Sequence, residues 1–328
     1  MLTFTSLWNL AAVPSCTTYP ERCVSLPTLT GTVLMPVVAL GTWRGSYKEC
    51  IGNDYACVRA KAKASVMSWV DVKGDHVDTA NNYRTQLEVG EALAQKGVKR
   101  EDIFITTKCP GPLGLTATIQ CAEDNLQMLG LYGVNTTGYL DLLLIHYPNV
   151  IKPECYGPSS DPDIQKECAG TGQFQDPGTA ARQETWKAME LLQKLGRVKS
   201  IGFSNYNSTH IAETLAVATV PIALHQVEWN PLDHDEDMLA LCTKHGIQLQ
   251  AWSPLGGDHG DILSNPQVVA IAATHNTSTA QVVLKWSLQR GVAVVTGTDN
   301  PAHMASDLDL WGFTLTDQEM TELNNLKP

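Results

Sequence analysis

Short apolar runs that end in a polar residue alternate with helical patterns along most of this 328-residue chain. Three of the runs end at Asp78, Lys108 and His146, and Tyr83 follows the first run within a polar turn. Alternating strands and helices are typical of a parallel sheet, and the C-terminal strand ends of a parallel barrel converge on one face. We therefore expect Asp78, Tyr83, Lys108 and His146 to meet on that face.

These four residue types together can transfer a proton. A tyrosine hydroxyl has a reference pKa of about 10, and a nearby ammonium such as that of Lys108 is expected to lower this pKa. Asp78 can hold Lys108 in place, and His146 can aim a substrate oxygen at the Tyr83 hydroxyl. Each residue alone has an ordinary explanation as a helix cap, a packed ring or a core residue. Their positions on three successive strand ends favour the functional interpretation.

The segments HVDTANNY, IFITTK and DLLLIHYP resemble the signature blocks of the aldo-keto reductases. So do MPVVALGTW, VKSIGFSNYN, HQVEWNP and AWSPLGG, and the likeness runs from about Leu34 to the C-terminus in the family's order. The resemblance implies a (β/α)8 TIM barrel of the α/β class that reduces carbonyls with NAD(P)H. It also implies that Asp78, Tyr83, Lys108 and His146 are the catalytic tetrad, with Tyr83 as the proton donor.

The domain organisation is expected to be simple. Residues 1–22 show no periodic pattern and are predicted to be a tail, and residues 23–328 are predicted to form one barrel domain. Two short runs, Cys23–Leu26 and Thr32–Met35, flank a Thr-Gly turn and predict a β-hairpin. In the family such a hairpin closes the N-terminal end of the barrel.

A long segment after the fourth strand, from Asn149 to about Gly178, has neither a helical nor a strand period. Such a loop in a compact domain is usually a lid or a binding loop, and it should overhang the site because it leaves the strand that carries His146. A Cys155–Cys168 disulfide would stiffen it. The alternative is an insertion without contact to substrate.

The resemblance also assigns residues to the coenzyme and the substrate. Ser204, Asn205 and Gln226 would hold the nicotinamide carboxamide, and Trp252 would stack on the ring. The complete set expected around the coenzyme is Gly41, Thr42, Trp43, Asp78, Ser204, Asn205, Gln226, Trp252, Ser253, Leu255, Gly256, Thr298, His303 and Asp307. Trp43, Tyr83, His146 and Tyr147 are expected to line the substrate pocket.

The coenzyme assignment meets one departure from the family pattern. Many members have a lysine and an arginine that grip the 2′-phosphate of NADP, and this chain has Gly297 and His303 at those positions. Each lost charge-assisted contact is worth roughly 1.5–3 kcal/mol. We expect NADP(H) from the family, with NAD(H) possible.

The net charge of −11 and the lack of a Lys/Arg cluster argue against nucleic-acid binding. No apolar run approaches the roughly 20 residues of a membrane span. We expect a monomer that acts on a small carbonyl substrate and holds no metal. Many members also carry a C-terminal loop over the pocket, and its absence after Pro328 leads us to expect a more open pocket.

The cysteines leave the compartment open. Nine cysteines imply at least one unpaired thiol, although three pairs are close in sequence. Close pairs and glycosylation sequons hint at an oxidising compartment. We expect a cytoplasmic protein, with the secretory lumen or the extracellular space as the alternative. The close pairs are Cys16/Cys23, Cys50/Cys57 and Cys155/Cys168, and the sequons begin at Asn135, Asn207 and Asn276.

Other functions are less well supported. A coenzyme-binding sensor or accessory subunit with little turnover could use the same barrel, but the four tetrad residues argue against it. A carboxylate-based hydrolase needs two acidic strand ends, and only Asp78 is well placed, with Glu228 a weak second. No Gly-x-Gly-x-x-Gly follows an early strand, which disfavours a Rossmann dehydrogenase.

Overall fold

Eight parallel strands close into a barrel, which confirms the predicted fold. The computed structural model describes residues 13–43, 47, 49–50, 54–132, 138–152, 174–257 and 261–327. Strands such as Phe104–Cys109 and Leu140–Ile145 are buried at every position, as parallel barrel strands covered on both faces must be. The barrel strands are β3 (Val38–Gly41), β4 (His76–Asp78), β5 (Phe104–Cys109), β6 (Leu140–Ile145), β9 (Val198–Ser204), β10 (Leu224–Glu228), β11 (Gln248–Trp252) and β12 (Ala293–Thr296).

Helices surround the barrel and bury their apolar faces against it. Trp69, Trp186 and Trp286 project from three of these helices and are fully buried. Several helices begin at a side-chain cap, and Ser278 and Thr316 each form a capping box. The described helices are α1 (Pro14–Thr18), α2 (Tyr55–Asp71), α3 (Gln86–Gln95), α4 (Gly114–Met128), α5 (Thr179–Lys194), α6 (Ser208–Leu215), α7 (Glu236–Lys244), α8 (Pro266–His275), α9 (Thr279–Gln289), α10 (Pro301–Leu308) and α11 (Asp317–Asn324). Not one of them combines the length and apolar character that a bilayer crossing needs.

The predicted N-terminal hairpin is present. Strands β1 (Cys23–Pro27) and β2 (Thr32–Pro36) pair antiparallel. Ser200 Oγ donates to the carbonyl oxygen of Pro27 at 2.8 Å, which attaches the hairpin near the start of β9. The hairpin therefore lies at the N-terminal end of the barrel, opposite the strand ends that carry the polar residues.

The described residues before Cys23, from Val13 on, have more structure than the expected tail. They contain α1 and a 3-10 turn at Pro20–Arg22, and a disulfide joins Cys16 to Cys23. Val13 and Cys16 are buried in the core. A five-residue helix is too short to show a period in the sequence, so the pattern analysis missed it. The domain boundary at residue 23 stays a prediction.

The long segment after β6 has structure at both ends. Strand β7 (Val150–Ile151) pairs antiparallel with β8 (Phe174–Gln175), so the expectation of no strand was wrong there. Helix α5 begins at Thr179, directly after this segment. The residues between the two strands from 153 to 173 lie outside the described part, and so does the predicted Cys155–Cys168 pair.

Candidate active site

The parallel register brings the ends of three strands to one face. Asp78 ends β4 and pairs with Thr106 of β5, and Lys108 of β5 pairs with Leu144 of β6. His146 directly follows β6. Tyr83 closes a 3-10 turn, Asn81–Tyr83, that begins just after β4. The four residues predicted from strand ends are therefore neighbours.

The Lys108 ammonium lies at the centre of this group. Its Nζ donates to Asp78 Oδ1 at 2.5 Å, to the Thr79 carbonyl oxygen at 3.1 Å and to Tyr83 OH at 3.3 Å. An ammonium has three N–H donors, so these three partners satisfy it. The Lys108 side chain is fully buried. Its charge is therefore held by a single carboxylate and directed at the phenol.

His146 contacts the same group from the other side. Its ring meets the Tyr83 ring edge-on, with centroids 5.4 Å apart, and stacks on Tyr147 at 4.5 Å. Its backbone N–H donates to the Cys109 carbonyl oxygen at 2.8 Å, which fixes the start of the loop. Tyr147 in turn contacts Phe174 of β8 at 5.1 Å. Tyr147 and Phe174, at the two ends of the long segment, therefore form an aromatic side of the site next to His146.

Asn82 is a site residue that the sequence analysis missed. His146 Nδ1 lies 2.9 Å from Asn82 Oδ1. An amide oxygen only accepts, so this orientation places the ring proton on Nδ1. The amide has nearly the same shape when turned by a half rotation, and its NH2 group would then donate to Nδ1 and leave the proton on Nε2. Asn82 can therefore hydrogen-bond to either neutral tautomer of His146.

Burial shifts the pKa values of Tyr83, Lys108 and His146. Burial, followed by the Asp78 carboxylate, raises the pKa of the Tyr83 hydroxyl well above 10. Burial lowers the pKa of Lys108, while Asp78 opposes that shift. Burial, with a smaller effect of Lys108, holds the pKa of His146 well below 6.5. Lys108 was expected to lower the Tyr83 pKa, but the net shift is upward, because burial and the Asp78 carboxylate both raise this pKa. Tyr83 is therefore protonated at neutral pH.

The second oxygen of Asp78 is held by a pair of glutamines. Gln226 Nε2 donates to Asp78 Oδ2 at 2.9 Å and to Gln250 Oε1 at 2.7 Å. Both hydrogens of the Gln226 amide are thus engaged, which leaves its Oε1 as an acceptor for a ligand. Gln250, fully buried on β11, had no signal in the sequence that distinguished it from an outward-facing strand residue.

The residues predicted around the nicotinamide form one bonded group. Asn205 Nδ2 donates to the His146 carbonyl oxygen at 2.9 Å and to Ser204 Oγ at 3.1 Å. Trp252 Nε1 donates to Asn205 Oδ1 at 3.0 Å. Ser204 Oγ donates to the Gln226 carbonyl oxygen at 2.8 Å. This group presents a fixed indole beside an amide acceptor, which fits a nicotinamide ring and its carboxamide.

The first barrel strand contributes a second set of predicted residues. Thr42 donates to the Asp78 carbonyl oxygen through its backbone N–H at 3.0 Å and its hydroxyl at 3.2 Å. A Cβ on Gly41 would lie 3.0 Å from Val295 Cγ1, so glycine allows β3 and β12 to approach closely. Trp43 is 49% exposed at the mouth of the barrel, an exposure that suits contact with a ligand better than packing.

Two further loops carry the remaining predicted coenzyme contacts. In the turn after β11, Ser253 and Gly256 have φ values of 49° and 100° and flank Leu255. Such left-handed residues can turn backbone N–H groups toward an anion, which fits a pyrophosphate.

The polar residues after β12 differ in how far they are exposed to solvent. Thr298 Oγ1 lies 3.5 Å from Nδ1 of His303. Asp307 is only 3% exposed, and burial raises its pKa to about 6. Asp307 is therefore withdrawn from the surface on which His303 lies. A cation from α2, Lys61, reaches this loop and bonds Asp299 Oδ2 at 2.7 Å and Glu49 Oε1 at 2.5 Å.

The chain is similar in sequence and in fold to several known proteins. The sequence pattern of the Aldo/keto reductase family matches residues 37–328. The chain is 32% identical over 302 residues to a 9,11-endoperoxide prostaglandin H2 reductase of Trypanosoma cruzi, covering 91% of this chain and 90% of that relative. It is 31% identical over 309 residues to aldo-keto reductase family 1 member A1 of Mus musculus, covering 89% and 86%.

A solved structure of a Bombyx mori aldo-keto reductase in complex with NADP has a TM-score of 0.75 and 29% identity, over 92% of this chain and 91% of that one. Together these matches define the class, an oxidoreductase of the aldo/keto reductase type on a (β/α)8 barrel. The chain belongs to the aldo/keto reductase family, so the predicted family is confirmed.

Proposed function

We propose that this protein reduces an aldehyde or ketone to the alcohol, with Tyr83 as the proton donor to the carbonyl oxygen. The observation that supports this most directly is the position of Lys108 Nζ, which contacts both Asp78 Oδ1 and Tyr83 OH. A buried ammonium beside a protonated phenol is the arrangement that a general acid needs when it must lose its proton during the reaction.

The chain's own groups would act as follows. Bound NAD(P)H supplies the hydride to the carbonyl carbon. Tyr83 gives its proton to the oxygen, and the resulting phenolate is stabilised by the Lys108 ammonium at 3.3 Å. Asp78 keeps Lys108 oriented and favours its charged form. His146, protonated on Nε2, directs the carbonyl oxygen toward Tyr83, which requires Asn82 to turn its NH2 group toward Nδ1.

The coenzyme would be held by the bonded group beside His146. Gln226 Oε1, Ser204 and Asn205 would hold the carboxamide, and Trp252 would stack on the nicotinamide. NADP(H) is the expected coenzyme, and NAD(H) remains possible because Gly297 and His303 replace two cations of the family pattern. Lys61 is held by two carboxylates and would have to leave them to bind a 2′-phosphate.

The substrate would enter on the aromatic side of the site. Tyr147 and Phe174 present their rings there, and Tyr83 and His146 supply the polar contacts. Trp43, exposed just after β3, would add a further ring. Such a surface favours small carbonyl compounds with an apolar or aromatic group. A monomer acting on free small molecules is the expected form.

The absorbance loss of NADPH and of NADH, measured in parallel over a panel of aldehydes and ketones, tests this function. We expect oxidation of the coenzyme that depends on both carbonyl and enzyme. If the protein binds either coenzyme but oxidises neither with any carbonyl, the alternative of a sensor with little turnover is correct. If it binds neither coenzyme, both functions are wrong.

The disulfides support the alternative compartment over the cytoplasm. Within the described residues, bridges join Cys16 to Cys23, Cys50 to Cys57 and Cys109 to Cys121, and one buried thiol, Cys242, is free. Disulfides are rare in cytosolic proteins because glutathione and thioredoxin keep thiols reduced. We therefore propose a secretory lumen or the extracellular space.

Two sequons are exposed in a way that suits this compartment. Asn207 and Asn276 are both exposed. Asn207 caps α6 through Oδ1, which accepts from the His210 backbone N–H at 3.0 Å, so its Nδ2 stays available for a glycan. Peptide mapping without reduction, on protein from its own organism, should find the three bridges and glycans at both sites. Free thiols at the bridge positions would restore the cytoplasmic assignment.

A further inference from the structure

We propose that the Cys109–Cys121 disulfide, together with Asn125 beside it, is a positioning device that holds the tetrad in register. This inference rests on the proposed function of Tyr83, Lys108 and His146. The sequence analysis did not pair these two cysteines, which lie at the C-terminal end of β5 and within α4. The bridge joins β5 to α4, directly behind the residues that would carry the chemistry.

Cys109 is next to two tetrad residues through the backbone. It follows Lys108 in β5, and its carbonyl oxygen accepts the backbone N–H of His146 at 2.8 Å. Cys121 lies in α4, and the two Cα atoms are 6.1 Å apart. Both cysteines are buried, at 0% and 7% exposure, so the bridge is inside the protein and not on its surface. A shift of β5 relative to α4 would therefore move Lys108 and the start of the His146 loop together.

Asn125 extends the same device to the third tetrad residue. It lies one helical turn after Cys121, and its Nδ2 is 3.9 Å from Cys109 Sγ and 3.8 Å from Cys121 Sγ. Its Oδ1 accepts from Asn81 Nδ2 at 3.0 Å and from Gln86 Nε2 at 2.7 Å. Asn81 begins the turn that ends at Tyr83. Asn125 thus joins the bridge to the segment that presents the phenol.

Gln86 closes the network back onto β5. Its Oε1 accepts from Thr107 Oγ1 at 2.5 Å, one residue before Lys108. Gln86, Thr107 and Asn125 are all buried at 1% exposure or less. Buried amides without water depend on each other for their hydrogen bonds, so the loss of one member disturbs the others. The bridge and the amides therefore define one rigid support beneath Tyr83, Lys108 and His146.

The consequence for catalysis is geometric. A misplacement of about 1 Å in a reacting group can lower a rate roughly 100-fold. Lys108 Nζ is already 3.3 Å from Tyr83 OH, near the limit of a hydrogen bond, so a small separation would remove the contact. The coenzyme group around Ser204, Asn205 and Trp252 makes no described hydrogen bond to the bridge or to Asn125, and it meets the device at the His146 carbonyl oxygen, which accepts from Asn205 Nδ2 at 2.9 Å. Loss of the bridge should therefore reduce kcat far more than it weakens coenzyme binding.

The test compares two double variants. Cys109→Ala with Cys121→Ala removes this bridge, and Cys16→Ala with Cys23→Ala removes a bridge at the opposite end of the barrel. Both should lower the melting temperature, because each cross-link constrains the unfolded chain. We expect kcat to fall about 10-fold or more only in the first variant, with the dissociation constant of NADPH within about twofold of the parent in both. Activity is measured well below both melting temperatures.

A second comparison separates the amide network from the cross-link. Asn125→Leu removes the acceptor for Asn81 and Gln86, while Asn125→Asp keeps a side chain of the same shape with that acceptor. We expect Asn125→Leu to lower kcat as the bridge variant does, and Asn125→Asp to retain most of it. Hydrogen exchange of the peptide that spans residues 79–86 should quicken in the bridge variant and in Asn125→Leu, but not in the Cys16/Cys23 control.

The outcomes distinguish the two proposals. If the folded bridge variant keeps the kcat and the exchange rates of the parent, the positioning device is wrong and the proposed reduction stands. If the parent itself reduces no carbonyl, the proposed function is wrong. The exchange measurement then still decides whether the bridge orders the Tyr83 turn.

Discussion

At the scale of single residues, all three donors of the Lys108 ammonium are engaged by neighbouring groups. Its ammonium is buried, it has one carboxylate partner, and its other two donors are directed at the Thr79 carbonyl oxygen and at Tyr83 OH. Burying an unpaired ammonium would cost several kcal/mol. Asp78 is therefore required for the charge to exist, and Gln226 is required to hold the second oxygen of Asp78.

Removal of the Tyr83 hydroxyl tests the proton donor directly. General acid catalysis contributes about 100- to 10,000-fold to a rate, so Tyr83→Phe should lower kcat for aldehyde reduction by a factor in this range. The dissociation constant of NADPH should change little. Tyr206→Phe makes the same chemical change at a buried hydroxyl that has no described partner and should leave kcat unaltered. A Tyr83→Phe enzyme as fast as the parent would remove the central claim.

Asn82 decides how His146 responds to pH. In the parent, burial keeps the His146 pKa well below 6.5, so His146 is neutral from pH 6 to 8 and should add no step to the profile. Asn82→Asp places a carboxylate at 2.9 Å from Nδ1, which raises the His146 pKa and, once the ring is neutral, fixes its proton on Nδ1. Below the raised pKa the imidazolium can still donate from Nε2.

The Asn82→Asp enzyme should therefore lose kcat/KM as pH rises from 6 to 8, by about 10-fold if one Nε2–H donor is lost. Asn82→Leu, which cannot select a ring nitrogen, serves as the control and should show no such slope. The measurement is kcat/KM over pH 6–8 for all three proteins. Parallel profiles would show that Asn82 does not govern the His146 proton.

At the scale of elements, the parallel strand register brings the site residues together. Each barrel strand pairs in parallel with its neighbours, so residues at equivalent C-terminal positions become adjacent although they are distant in sequence. The short β4 and the turn after it bring Tyr83 back over Lys108. A fault in one strand should therefore damage the site and the fold together.

Gly202 is the position at which that dependence can be measured. It lies in β9 opposite Leu224 of β10 and Leu144 of β6. A Cβ there would overlap the Leu224 carbonyl oxygen and lie 3.0 Å from Leu144 Cδ2. We expect Gly202→Ala to cost about 3 kcal/mol or more, because backbone cannot yield as a side chain can.

The readout is the free energy of unfolding by denaturant. Gly312→Ala is the matched control, because nothing lies within 4 Å of the added Cβ at Gly312. That variant should be within about 0.5 kcal/mol of the parent. A Gly202→Ala protein of parental stability would show that β9 and β10 are farther apart than the structure has them.

At the scale of the whole molecule, buried neutral histidines reduce the free energy of unfolding in acid. Burial lowers the pKa of His76 to about 4 and of His225 to about 3, and holds that of His146 below 6.5. As pH falls below about 6.5, the unfolded chain takes up protons on these histidines and the folded protein does not. Stability is therefore full above pH 6.5 and is lost as pH falls from there.

Each such histidine contributes a slope of about 1.4 kcal/mol per pH unit. Asp75 and Asp307 act in the opposite sense, because burial raises their pKa values and the folded state gains protons first. A net fall on the order of 1–3 kcal/mol per pH unit should remain between pH 6 and 5. The measurement is unfolding by denaturant at both pH values. His225→Gln should flatten the slope, and the exposed His303→Gln should not.

The sequence anticipated much of the fold and of the candidate site. Apolar runs with polar ends located the C-terminal ends of β4, β5 and β6 to within one residue, since a buried parallel strand must be apolar along its length. Asp78, Lys108 and His146 were recognisable because their types are unusual at the ends of such runs. The same analysis missed α1 and the β7–β8 ladder, both too short to show a period.

What the amino-acid sequence determined on its own was the order of strands and helices, the class of barrel and the residue types available for proton transfer. These follow from local periodicity and from which side chains can titrate. Only the tertiary structure decided the partners: Asn82 on His146, Gln250 behind Gln226, and Asn125 with the Cys109–Cys121 bridge. The physical reason is that a hydrogen bond or disulfide between distant residues depends on direction and distance to a few tenths of an ångström. Those quantities are set when the barrel closes, and no local pattern in the chain records them.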